Sequence, residues 1–193
     1  GDFANAADFL IAAIRSDSSN PVLLESALAA EIGRGNFDRA LPLAESMTEI
    51  GMDSQLAGMV QIDAMARAED WGGLMGLIED GPVISPLADT MIRAWALAGQ
   101  GDMQAAISVF GDLAQERGLQ TFGLYHKALA LGFVGDFESA DAIFSMPAEP
   151  GLRPANRMVV AHAQVLSQLD RNAEAVALID RTFPLAADPD MAD

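Results

Sequence analysis

A chain of 193 residues with 28 acidic side chains against 11 basic ones carries a formal charge of −17, which sets it against nucleic-acid phosphates and anionic lipid headgroups. About half of it is apolar, enough to bury a sizeable core, yet no apolar run approaches the roughly twenty residues that a membrane helix needs. The absence of cysteine removes disulfides, thiolate metal sites and thiol catalysis together.

In chain order, the spacing of apolar residues predicts a lone helix over about 3–16. Five pairs follow, at about 22–34 and 37–50, 54–68 and 71–79, 86–100 and 103–117, 120–134 and 137–146, and 156–169 and 173–183. Within most pairs a glycine closes the first helix and the next Asp or Asn caps the second. Gly81-Pro82, Pro86, Pro147, Pro150-Gly151 and Pro154 punctuate the spaces between pairs. Residues 184–193 form a tail.

These pairs are copies of one unit. Gly101-Asp102-Met103-Gln104-Ala105-Ala106 is matched 34 residues later by Gly135-Asp136-Phe137-Glu138-Ser139-Ala140, and the same offset relates Ala94 to Ala128, Leu97 to Leu131 and Phe110 to Phe144. Upstream, Gly1-Asp2-Phe3 with Ala6 and Leu10 maps onto Gly35-Asn36-Phe37 with Ala40 and Ala44. One bulky slot reads Phe3, Phe37, Trp71, Met103, Phe137 and then Asn172; a small slot reads Ala6, Ala40, Leu74, Ala106, Ala140, Ala175. The small residue lets the first helix of the same unit approach, with bulky neighbours on either side. Neither helix buries its stripe alone, so the units must stack.

Gly101, Ala106 and Phe110, with Gly135, Phe137, Ala140 and Phe144, give the chain a pattern that resembles the tetratricopeptide repeat (TPR), of the bacterial type. Trp71-Gly72-Gly73 departs from that pattern, and Ser18 stands where the family places a closing proline. The resemblance implies an all-α, right-handed superhelix, an α-solenoid of about five to six helix-turn-helix repeats over 1–183. The units would run over about 1–20 (a second helix only), 21–53, 54–85, 86–119, 120–154 and 155–183, the lone first unit suggesting a fragment. The compartment stays open between bacterial periplasm and cytoplasm, with a lean to the periplasm.

The resemblance also implies a concave groove lined by the first helices, which would take an extended peptide or a helix. Its positions select Met59, Asp63 and Arg67, then Met91 and Trp95, then Phe122, Tyr125, Leu129 and Phe133, and finally Arg157, Val160 and Gln164. Exposed aromatic surface of that kind marks contact sites. The alternative is that Trp95, Tyr125 and Phe133 fill the spaces between helices. The groove residues that clamp a peptide's terminal carboxylate in some family members are missing here.

No catalytic residue, cofactor or metal is expected. Gly33-Arg34-Gly35 and Gly99-Gln100-Gly101 are repeat turns, with no strand before them and no Gly-Lys after. His126 and His162 occupy neighbouring register positions and point to a shared region, but two histidines without a third ligand make packing the better reading. The expected function is a protein-interaction scaffold. The alternatives are an oligomerisation module capped through the lone helix and the recognition arm of a larger enzyme or envelope complex. RNA-reading repeats are disfavoured by the charge.

Overall fold

In a computed structural model, residues 2–81, 83–147 and 155–183 are described, and all the regular structure among them is helical. Eleven helices follow in order: α1 (Phe3–Ile14), α2 (Pro21–Gly33), α3 (Phe37–Glu49), α4 (Gln55–Arg67), α5 (Trp71–Glu79), α6 (Pro86–Gly99), α7 (Met103–Leu113), α8 (Gln120–Phe133), α9 (Phe137–Phe144), α10 (Asn156–Gln168) and α11 (Asn172–Thr182). Each expected helix is present. The turn residues Pro82, Pro150-Gly151 and Pro154, and the tail 184–193, lie outside the described residues.

The turns form as their chemistry dictates. Gly35, Gly101 and Gly135 sit at φ of +75°, +86° and +85°, a left-handed conformation that costs glycine little. The N–H groups of Asn36 and Asp136 then reach back to the carbonyls of Glu31 and Leu131, closing the first helix. The side chains of Asn36, Asp70, Asp102 and Asp136 accept from the third residue onward and cap α3, α5, α7 and α9. Where the glycine is absent the conformation persists. Glu69 and Asp170 are held at φ of +55° and +60° by the same closing bond, to Met65 and Leu166.

The chain divides into two compact units, Gly1–Gly101 and Asp102–Asp193. In the first, successive helices from α1 to α6 pack on one another, and α2 also touches α4. Its core joins Leu24 and Leu28 of α2, Ala40, Ala44 and Met47 of α3, and Ala57 and Val60 of α4, with Leu10, Ile11 and Ile14 of α1 against it. In the second, α7 to α11 pack in succession and α8 touches α10. Ala128, Leu131, Ala140 and Val165 form its centre, flanked by Ile107, Phe137, Phe144 and Leu169.

The small slot is buried as its pattern requires at Ala40, Leu74, Ala106, Ala140 and Ala175. Ala6 is the exception: it is exposed, and Ala7 is buried in its place. No first helix lies on that side of α1 among the described residues, so only the side facing α2 is covered. The bulky slot also differs from expectation. The Phe3 ring lies on Gly33 and the Trp71 ring on Gly99, each on the first helix of the following pair and so tight that a Cβ there would fall within 3 Å of ring atoms. Phe37 lies beneath the Arg67 guanidinium in the same way. These aromatics bind each pair to the next.

Candidate interaction surface

Met59, Asp63 and Arg67 are spaced four apart and share one stripe of α4. Met59 is half exposed, but Asp63 and Arg67 are engaged with each other at 2.8 Å, and the guanidinium also covers Phe37 at 5.3 Å from the ring centroid. An exposed pair of this kind contributes a few tenths of a kcal/mol, roughly. Met91 and Trp95 on α6 are half buried, so Trp95 is in part the space-filler of the alternative reading.

The aromatic candidates of the second unit form a different surface. Phe122, Tyr125, Leu129 and Phe133 follow one another at three, four and four residues along α8, which gathers them into a stripe about 80° wide and some 16 Å long. Phe133 is 75% exposed and Phe122 39% exposed, so Phe133 fills no space between helices; Tyr125 and Leu129 are half buried. On the adjacent α10, Arg157, Val160 and Gln164 occupy the corresponding positions and are all exposed. The Arg157 guanidinium lies over the Tyr125 ring, 5.6 Å from its centroid.

Beneath that stripe the rings form a continuous series that the sequence pattern did not disclose. His126 stacks on Phe110 at 5.6 Å and His162 stacks on Phe144 at 5.4 Å, one repeat apart, while Tyr125 touches both His126 and Phe144. The two histidines do share a region. Burial, and then the Arg157 charge, hold the His126 pKa below its usual value. His162 instead meets Asp141, Nε2 to Oδ1 at 2.7 Å, and Asp141 also accepts from Arg171 and from Ser145. Burial opposes ionisation of Asp141, but the bonds from His162 and Arg171 outweigh it and keep its carboxyl below the usual range. Arg171 forks onto Glu174 through Nε and Nη2, which raises the guanidinium pKa further and lowers that of Glu174.

A second network lies in the first unit. Glu31 is fully buried, at the slot occupied by Met65, Leu97, Leu131 and Leu166 in the other pairs. Arg34 Nε is 3.0 Å from its Oε2, off the direction of a hydrogen bond, and Arg39 stands 4.0 Å from Oε1; Arg34 and Arg39 also reach Asp8 of α1. The charges tie α1, α2 and α3 together. Asp89, also buried, accepts from the backbone N–H groups of Val83 and Ile84 at 3.1 Å each and pins the loop before α6.

Two open clefts lie elsewhere. One of about 520 Å³ runs between α1 and α3 past Asp8, Arg15, Asp38 and Arg39, and one of about 430 Å³ lies between α7 and α8 past Asp112 and Lys127. Both are lined by charges of both signs. Among the described residues no group of three or more His, Asp or Glu side chains is arranged to hold a metal ion, and no helix is long and apolar enough to cross a membrane.

No protein-family model matches the chain, and no curated protein matches it. Among solved structures it is similar to that of YrrB, described as a TPR protein with an unusual peptide-binding site, with a TM-score of 0.53 and 12% identity over 96% of each chain. The fold is TPR-like.

Proposed function

We propose that the protein is a protein-interaction scaffold that receives a segment of a partner on the exposed face of its first helices and performs no catalysis. The observation that carries this reading is the aromatic stripe of α8, where two phenylalanines stand in solvent on one side of a helix whose other side is packed. Apolar surface of this kind gains by being covered, at about 25 cal/mol per Å². The peptide-binding site ascribed to YrrB agrees with the reading. Asp141, His162, Arg171 and Glu174 are held to one another, which fits a structural role for this network.

The test is a double variant, Phe122→Ser with Phe133→Ser, compared with the unchanged chain for capture of a partner from native extract. Both side chains are exposed, so the helical circular dichroism should persist while capture is lost. Undiminished capture would remove α8 from the site.

A second reading has its own observation. On α1, Phe9 is 79% exposed and Phe3 46%, beside the exposed Ala6, whereas the matching Leu43 and Ala40 of α3 are buried. That face suits an oligomerisation contact. Light scattering over a range of concentrations decides it: a strictly monomeric chain refutes this version.

A further inference from the structure

The first helices of the second unit are free of acid. The 14 residues of α8 and the 13 of α10 contain no Asp or Glu, in a chain with 28 of them. The first helices of the other unit are not so cleared: α2 carries Glu25 and Glu31, α4 carries Asp63 and α6 carries Asp89. The acids of the second unit lie instead on its second helices, as at Asp112, Glu138, Asp141, Glu174 and Asp180.

On the cleared face one cation stands ready. Arg157 is exposed, makes no ion pair among the described residues, and lies over the Tyr125 ring within the aromatic stripe. Lys127, the other cation of these helices, is turned toward α7, where its Nζ is 3.6 Å from the place a Cβ on Gly111 would occupy. A guanidinium on an aromatic face keeps its outer N–H groups free to form a paired bond with a carboxylate. An acidic segment meets repulsion from a chain of net charge −17, and neither α8 nor α10 adds an acid to it.

From this segregation of charge we infer that the stripe of α8 with Arg157 of α10 selects a partner segment that is both apolar and acidic, bulky side chains covering Phe122 and Phe133 and a carboxylate meeting Arg157. The inference rests on the interaction reading above and adds the chemistry of the partner. The carboxylate works mainly as a selector, because one exposed charge pair changes affinity only about two- to fivefold.

The experiment uses three labelled peptides sharing a framework of Phe and Leu and carrying Glu, Gln or Lys between them, titrated with the full chain by fluorescence anisotropy at low and moderate salt. The expected order of affinity is Glu, then Gln, then Lys. Arg157→Gln should abolish the preference for Glu over Gln, and Phe133→Ser should weaken all three. If Gln or Lys peptides bind as well as Glu, or Arg157→Gln leaves the preference intact, the acidic partner is refuted while the interaction surface stands. If none binds either the full chain or the chain without residues 184–193, the surface itself is refuted. The acidic tail 184–193 provides the remaining arm: binding that begins only after its removal would assign the face to the chain's own tail and overturn the inference.

Discussion

The two units use the same repeat and treat charge in opposite ways. In the first, three of the arginines are spent internally: Arg34 and Arg39 on the buried Glu31, Arg67 on Asp63. In the second, Asp141 draws His162 and Arg171 together from the helices that follow, and Arg157 lies on an aromatic face with no ion pair among the described residues. The repeat fixes where a side chain points, and the identity of its neighbours decides whether it stabilises the fold or stays available to a partner.

The largest expected effect comes from stranding the buried charge of the first unit. Arg34→Met should cost about 3 kcal/mol in urea denaturation, because Glu31 keeps its burial and loses its nearest cation. Adding Glu31→Leu, the residue of three of the four matching slots, should recover most of that loss. If Arg34→Met alone is neutral, the network holds nothing together.

Next comes steric closeness. A Cβ on Gly123 would lie 2.4 Å from the Ala114 backbone nitrogen, so Gly123→Ala should destabilise by about 1–3 kcal/mol. Gly58→Ala in the first unit should cost less, since its Cβ meets the Val83 side chain, which can turn away. Gly76→Ala meets nothing and should gain up to about 1 kcal/mol from helix propensity. Melting temperatures of the three give the order directly.

Acid should weaken the second unit in two steps. His126 is held neutral, so its contribution is present above about pH 6.5 and fades as pH falls toward its lowered pKa. Asp141 has a lowered pKa, so its contribution is present above about pH 4 and is lost as pH falls further. His126→Phe, which keeps the stack, should flatten the first step of the melting temperature against pH, and Asp141→Asn the second. The smallest effect is expected at the left-handed turns: Glu69→Gly should stabilise by about 0.5–1 kcal/mol, and Asp170→Gly by less because aspartate tolerates that conformation better.

The helices were legible because their signals are local. The Gly-Asp and Gly-Asn turns name both the end of one helix and the cap of the next, and only α7 misled by four residues, stopping at Leu113 ahead of the left-handed Gly118. The networks were not legible. Asp141 meets His162 across 21 positions and Arg171 across 30, distances that no repeat offset of 34 predicts. Glu31 is an acid in a slot that is filled elsewhere by Met65, Leu97, Leu131 and Leu166, and charge alone does not mark it as buried. Groove positions were selected by register alone, and register does not tell the exposed Phe133 from the half-buried Trp95; burial does.

The most direct test of the central claim is to map a bound Phe, Leu and Glu peptide onto the chain by amide chemical-shift changes. The account predicts that the shifts concentrate along α8 and the start of α10, around Phe122, Phe133 and Arg157. Shifts confined to the second helices α7, α9 and α11, or to the first unit, would contradict it.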